Sequence, residues 1–162
     1  MRIIEGSRPA GGLKFAVVVS KYNDFVTDRL QRGALAALAH HGVRDEDITV
    51  IRVPGAFEIP TAARLAADTN EFDGIVCLGC LIRGATPHFE YISSAVAHGL
   101  TAASGATGIP MAFGVLTTNS AEEALERAQP GATNKGYEAA QAGIEMATLV
   151  VRLGDATGEV DA

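Results

Sequence analysis

The sequence contains no tryptophan, few other aromatic residues and no excess of basic residues. Aromatic residues make up 6% of the 162 positions. The chain has 13 Lys and Arg residues and 19 Asp and Glu residues, which gives a formal net charge of −6. A protein that binds nucleic acid usually carries a basic patch. Here the basic residues are scattered, so the composition argues against a nucleic-acid partner and favours local roles, such as contacts with a small anionic substrate.

A long apolar run and a secretory signal are also missing. No stretch is apolar enough over the length of a membrane-spanning helix, and residues 1–6 (MRIIEG) lack the apolar core of a signal peptide. These absences predict a cytoplasmic protein with no membrane partner. The 48% of hydrophobic residues is typical of globular proteins, and the length suits one domain spanning residues 1–162.

Cysteine is scarce, and the two cysteines, Cys77 and Cys80, lie in a Cys-x-x-Cys spacing. This spacing occurs in redox and metal sites, but no second cysteine pair or clustered histidine completes such a site here. Both residues lie at the end of an apolar segment. The pattern therefore favours two buried small side chains over a catalytic or metal-binding pair, and it predicts no metal site.

Short apolar runs alternate with longer amphipathic segments along the chain. Runs of strand length lie at residues 15–19, 48–53, 74–78 and 109–116. Apolar strands joined by helical crossovers predict an α/β fold with a parallel sheet covered on both faces. The predicted helices begin near residues 23, 57, 88, 119 or 120, and 137, and the tail over residues 154–162 is expected to fray.

The carboxyl ends of the predicted strands are where a ligand is expected to bind in such a sheet. The end of the third predicted strand offers the most candidate ligand contacts, because small residues at 84–86 precede a predicted helix start near His88. Unpaired N–H groups at a helix start can bind phosphate or carboxylate, although Thr86 can instead simply cap the helix. His88 beside this segment can exchange a proton near neutral pH.

Polar and aromatic residues also follow the other predicted strands. Glu58 can accept hydrogen bonds from hydroxyl groups, or it can merely be a favourable charge in a first helical turn. Tyr22 can stack on a planar ring, whereas a core position is the default for Phe113. Arg127 and Lys135 flank a predicted break between two helices, where they can contact an anion or remain solvated on the surface.

Together these segments resemble the lumazine synthase family, which carries out the penultimate step of riboflavin biosynthesis. The resemblance extends from about residue 12 to residue 153, and the matching segments appear in the family's order at predicted strand ends or helix starts. The segments are residues 22–23 (YN), 53–60 (VPGAFEIP), 82–91 (IRGATPHFEY), 113–119 (FGVLTTN) and 134–136 (NKG).

The resemblance implies both a fold and a reaction. The fold is a flavodoxin-like three-layer α/β/α sandwich with strand order 2-1-3-4. The reaction condenses 5-amino-6-(D-ribitylamino)uracil with 3,4-dihydroxy-2-butanone 4-phosphate, giving 6,7-dimethyl-8-ribityllumazine, phosphate and water. A transferase of this family needs no metal and no organic cofactor.

The resemblance also implies roles for single residues, with His88 as the proton-transfer residue. The phosphate and butanone would contact Ala85, Thr86, Arg127 and Lys135. The pyrimidine and its ribityl chain would contact Tyr22, Ala56, Phe57, Glu58, Cys80, Leu81, Ile82 and Phe113.

Relatives of this kind form homopentamers with the pocket between neighbouring subunits. Phe113, Arg127 and Lys135 would come from one subunit and the other contacts from the next. The strand-like start of the N-terminal arm, residues 1–12, would extend a neighbour's sheet. The short link from Arg127 to Asn134 favours further assembly into an icosahedral shell, and association with riboflavin synthase stays open.

Three alternatives share parts of this pattern. An archaeal-type riboflavin synthase has the same fold, but the segment at residues 84–88 favours lumazine synthase. A non-catalytic, flavin- or nucleotide-binding flavodoxin-like module would bind flavin without condensing the substrates. A shell-forming structural protein without catalysis is disfavoured, because His88 and Arg127 are both present.

Overall fold

The four apolar segments form the strands of a parallel β-sheet, and the amphipathic segments form helices. The structure is a computed structural model that describes residues 1–158. The part of the expected frayed tail at residues 159–162 lies outside the described residues. The elements, in chain order, are β1 (Phe15–Ser20), α1 (Asp24–His40), β2 (Ile48–Val53), α2 (Ile59–Asp68), β3 (Gly74–Ile82), α3 (His88–Thr107), β4 (Met111–Thr118), α4 (Ala121–Arg127) and α5 (Lys135–Gly158), with 3-10 turns at Asp45–Asp47 and Ala56–Glu58.

The sheet has the order β2-β1-β3-β4, and all its neighbouring strands are parallel. Successive side chains of a strand point to opposite faces. Along β1, Phe15, Val17 and Val19 therefore join a core under α1 and α5, whereas Ala16 and Val18 join a second core under α2 and α3. This confirms the predicted three-layer α/β/α fold and its strand order.

The register lets β3 and β4 project beyond the end of β1. Val19 pairs with Leu78 in β3, and Ile82 at the end of β3 pairs with Thr118 in β4. β3 is therefore four residues longer than the run at 74–78 predicts, because β4 supplies backbone partners for its last residues. The projecting end of β3 forms one wall above the shorter strand.

Other boundaries also differ from the sequence-based prediction. β4 is shifted two residues toward the C-terminus, and a 3-10 turn precedes α2. α5 continues past Gly154 to Gly158, and Arg152 in its last turns donates to the backbone carbonyl of Glu5. The helix therefore continues for four residues beyond Gly154.

The N-terminal arm runs along α5 instead of forming a strand in this chain. The Ser7 N–H donates to Thr148 Oγ1 at 2.8 Å, and Thr148 Oγ1 donates to the Ser7 carbonyl at 2.8 Å. Arg8 Nε lies 3.0 Å from Glu145 Oε1 in an exposed ion pair. Across residues 1–158, none of the helices combines the length and the apolar character that crossing a membrane requires.

Candidate active site

The ends of β1, β2 and β3 are joined by hydrogen bonds. The Tyr22 N–H donates to the carbonyl of Pro54 at 3.1 Å, which links the ends of β1 and β2. The Asn23 Nδ2 group donates to the carbonyl of Cys80 at 2.9 Å, which links the end of β1 to the projecting part of β3. The three strand ends therefore hold one another in place.

Asn23 occupies the position before α1, but its side chain makes no cap hydrogen bond there. Its backbone is left-handed, with φ 61° and ψ 44°, a conformation that Asn tolerates better than most residues. The side chain thus points across to Cys80 instead of back to its own helix.

A cavity of about 860 Å³ opens above these strand ends. It lies at the carboxyl edge of the parallel sheet, where ligands bind in this class of fold. The structure brings most of the sequence-predicted site residues together in its walls. They are Tyr22, Ala56, Phe57, Glu58, Cys80, Leu81, Ile82, Thr86 and His88.

Three aromatic side chains at this cavity are unusually exposed. Tyr22 is 72% exposed, Phe57 is 63% exposed and Tyr91 is 73% exposed, although large apolar rings are normally covered by other protein atoms. All three rings line the cavity. They can therefore cover the faces and edges of a planar aromatic ligand without moving out of a packed core.

Glu58 ends the short 3-10 turn that begins at Ala56. Its N–H donates to the carbonyl of Gly55 at 3.2 Å. A Cβ atom built on Gly55 would lie 3.3 Å from Glu58 Oε2, so the carboxylate lies close against the glycine backbone. Glu58 is exposed in the cavity wall, where it can accept hydrogen bonds from a polyhydroxyl chain.

The loop before α3 has the features of an anion site. Pro87 occupies the N-cap position of this 20-residue helix, and no side chain caps the helix. The alternative that Thr86 is merely a helix cap is therefore wrong, because Thr86 lies outside the cap position. Within residues 1–158, the N–H groups of Gly84, Ala85 and Thr86 have no protein acceptor, so they are free to bind oxygen atoms of a ligand.

His88 begins α3 directly after this loop. It is exposed and lines the same cavity as Thr86, so it can reach a ligand bound at the free N–H groups. Ala85 belongs to the loop but is not among the residues that line the cavity, so the structure does not place this predicted site residue in the cavity wall. A proton-transfer group and a possible anion site thus adjoin each other.

The remaining predicted residues lie in a second cavity of about 390 Å³, lined in part by Phe113, Arg127 and Lys135. Phe113 is 51% exposed on the edge strand β4, so its expected core position is wrong. Lys135 Nζ lies 2.9 Å from Glu138 Oε2, and Arg127 Nη1 donates to the Glu123 carbonyl at 3.1 Å. One chain therefore presents two separate parts of the predicted site.

Comparison with known proteins decides the family. Residues 12–151 match the family model of 6,7-dimethyl-8-ribityllumazine synthase. The chain belongs to the 6,7-dimethyl-8-ribityllumazine synthase family. A 6,7-dimethyl-8-ribityllumazine synthase from Syntrophus aciditrophicus (strain SB) is 51% identical over 148 residues, which cover 91% of this chain and 96% of the relative. The predicted family is confirmed.

The sequence did not predict a role for Asn134, a buried residue that links several helices of this family member. Asn134 is only 1% exposed, and its Nδ2 group donates to the carbonyls of Ala128 at 3.0 Å and Arg29 at 3.3 Å. Its Oδ1 accepts the N–H groups of Gly136 at 2.8 Å and Tyr137 at 3.1 Å. The NKG sequence at residues 134–136 indicated this position, but only the structure shows that Asn134 connects α1, the end of α4 and the start of α5.

The two cysteines of this family member point to opposite faces of β3. Cys77 belongs to the core under α2 and α3, whereas Cys80 belongs to the core under α1 and α5. A spacing of three residues in a strand has this effect because side chains alternate. Burial raises the pKa of the Cys77 thiol to about 12 and that of Cys80 to about 11, which disfavours the reactive thiolate.

Proposed function

We propose that this chain condenses 5-amino-6-(D-ribitylamino)uracil with 3,4-dihydroxy-2-butanone 4-phosphate to give 6,7-dimethyl-8-ribityllumazine, phosphate and water. Membership of the lumazine synthase family supports this reaction. The observation that carries the proposal is the cavity at the sheet edge, in which exposed aromatic rings, a carboxylate, free N–H groups and a histidine converge. These groups match the ring, the ribityl chain, the phosphate and the proton transfers of the reaction.

The pyrimidine and its ribityl chain bind at the β1 and β2 side of the cavity. Tyr22 stacks on the pyrimidine ring, a role that its high exposure supports. The 3-10 turn Ala56–Glu58 holds the ribityl hydroxyl groups, with Glu58 as acceptor. The end of β3 at residues 80–82 contacts the ring edge through backbone groups, because these residues project past β1.

The phosphate of the second substrate binds at the loop before α3. The free N–H groups of Ala85 and Thr86 point to phosphate oxygens, and the dipole of the long helix α3 favours their negative charge. Arg127 and Lys135 add positive charge from the second cavity. The phosphate is thus held by backbone donors and by cations.

His88 transfers protons, while the cavity aligns the two substrates. Schiff-base formation, elimination of phosphate and ring closure each move protons, and His88 directly follows the loop at residues 84–87 that binds the phosphate. Holding two reactants in register can lower a barrier by roughly 7–11 kcal/mol. General acid–base catalysis adds on the order of a hundred- to ten-thousand-fold. Alignment is therefore the larger contribution.

The complete site is formed between neighbouring subunits of a homopentamer. The separation of Phe113, Arg127 and Lys135 from the His88 cavity supports this arrangement, because one chain by itself presents only two incomplete parts. Arg127 and Lys135 of one subunit then complete the phosphate site of the next. The active enzyme is accordingly an oligomer.

The N-terminal arm extends the sheet of a neighbouring subunit. β2 is an edge strand, and Thr49, Val50 and Arg52 are exposed along it, which leaves a side available for a further strand. Pentamers assemble further into an icosahedral shell in the cytoplasm, where riboflavin synthase is a candidate partner. Light scattering that finds only a pentamer-sized particle contradicts the shell.

The decisive assay mixes both substrates with the pure protein and follows the absorbance and fluorescence of the lumazine product. We expect product to form without added metal or cofactor. A riboflavin synthase would instead consume added lumazine and form riboflavin. A flavin-binding module would bind flavin tightly without forming the product, and a purely structural shell protein would do neither. Any of these three results contradicts the proposal.

A further inference from the structure

We propose that Arg83 is a positioning residue that holds the phosphate loop, residues 84–87, in its binding conformation. This inference rests on the proposed function of that loop. Arg83 directly precedes the loop and does not line the cavity of His88 and Thr86. It therefore acts on the substrate through the loop and not by direct contact.

The Arg83 side chain is held by three groups on two other segments. Its Nε donates to Asn119 Oδ1 at 3.0 Å, just after β4. Its Nη1 donates to a carboxylate oxygen of Glu90 in the first turn of α3, and its guanidinium carbon lies 4.6 Å from the centroid of the Phe89 ring. The Arg83 N–H also donates to the carbonyl of Thr118 at 2.8 Å.

These contacts span the phosphate loop from one side to the other. Arg83 lies before the loop and Glu90 lies after it, so their ion pair closes the segment between β3 and α3. The loop has little other support, since the N–H groups of Gly84, Ala85 and Thr86 have no protein acceptor within residues 1–158. A Cβ atom on Gly84 would meet nothing within 4 Å. The loop geometry therefore depends on its two ends.

The charges also argue against Arg83 as a phosphate ligand. Its guanidinium is paired with the Glu90 carboxylate, which would repel a phosphate placed on the same donors. Both side chains are about half exposed, at 48% and 53%. An exposed ion pair contributes little to global stability, so its loss should change substrate binding more than unfolding.

The test compares Arg83→Ala, Arg83→Lys and Glu90→Ala in the condensation assay with the assembled protein. We expect each variant to raise the KM for the butanone phosphate on the order of tenfold or more, since small displacements of a binding group are costly. The KM for the pyrimidine should stay unchanged. Arg83→Lys should recover little of the affinity for the butanone phosphate, because a single ammonium group lacks the planar fork that reaches Asn119 and Glu90 together.

A matched control is Arg64→Ala, which removes an Arg–Asp ion pair of similar exposure on α2. Arg64 Nε lies 3.1 Å from Asp68 Oδ2, and both side chains are about half exposed. This variant should keep both KM values. The double variant Arg83→Ala/Glu90→Ala should be no worse than Arg83→Ala, because both changes remove one interaction.

Direct phosphate binding by Arg83 predicts a different pattern. Glu90→Ala would then leave the KM for the butanone phosphate unchanged or lower it, and Arg83→Lys would retain most of the affinity. Either result overturns the positioning role. Failure of the proposed function is distinguishable, because wild-type protein would then form no lumazine, whereas failure of this inference leaves wild type active and the variants equally active.

Discussion

Gly33 in α1 lies directly against the buried side chain of Asn134. A Cβ atom on Gly33 would fall 2.1 Å from Asn134 Oδ1, well inside van der Waals contact. That oxygen accepts the N–H groups that begin α5. The absence of a side chain at Gly33 therefore lets one asparagine hold the segment between Arg127 and Lys135.

Replacing Gly33 with alanine should destabilise the protein. We expect Gly33→Ala to lower the free energy of unfolding by about 1–3 kcal/mol, because the added methyl displaces Asn134 or shifts α1. Urea denaturation measures this difference. The control is Gly154→Ala in α5, where a Cβ meets nothing within 4 Å; there alanine should be neutral or stabilising. Equal stability of Gly33→Ala and wild type contradicts the prediction.

Removing the histidine at the start of α3 should slow the reaction without abolishing it. We expect His88→Ala to lower kcat by on the order of a hundred- to ten-thousand-fold, the usual contribution of general acid–base catalysis. Steady-state kinetics with both substrates gives this value, and His98→Ala on the same helix is the control. Complete loss of activity with intact substrate binding would show that His88 does more than assist.

Removing the guanidinium at the end of α4 should weaken binding of one substrate. We expect Arg127→Ala to raise the KM for the butanone phosphate, because the phosphate loses a charge-assisted hydrogen bond. The KM for the pyrimidine should change little. Separate titrations of each substrate measure both values, and an unchanged KM for the phosphate substrate rejects the role of Arg127.

Two defective chains should complement each other if the site lies between subunits. We expect oligomers that contain both His88→Ala and Arg127→Ala chains to be more active than either variant alone. The reason is that an interface between the intact Arg127 part of one chain and the intact His88 part of another forms a complete site. Co-expression followed by the condensation assay measures the recovery.

The control for complementation is an oligomer that contains only one variant, prepared in the same way. Native mass spectrometry confirms that the two chains have mixed. Mixed oligomers that show no gain in activity would place the whole site within a single chain.

Alkaline pH should reduce stability through the buried thiols. Burial raises the pKa of Cys77 to about 12 and of Cys80 to about 11, from the ordinary value of 9.0. The contribution of the protonated thiols to the free energy of unfolding is fully present below pH 9 and is lost as the pH rises through about 11 to 12, because the thiols of the unfolded chain ionise first. In urea denaturation, the free energy of unfolding of Cys77→Ala/Cys80→Ala should decline less steeply with alkaline pH than that of wild type. Equal slopes count against this linkage.

The strands and the crossover helices could be predicted from the sequence, although the bounds of β3 and β4 differ from the prediction. They depend on local patterns, since an apolar run of strand length or a helical spacing of apolar residues is readable over a few positions. The position of the phosphate loop followed from the same reasoning, because small residues before an amphipathic segment indicate a helix start. The family resemblance then attached a named role to His88.

The tertiary structure decided which of these ends meet. The Asn23 side chain crosses to Cys80 instead of capping α1, and Thr86 is free of the cap position that Pro87 takes. Asn134 is buried by contacts with residues far away in the chain. Such outcomes depend on packing between distant segments, which local propensity does not encode. The sheet register and the helix packing therefore placed most of the candidate residues around one cavity and the others at a second cavity.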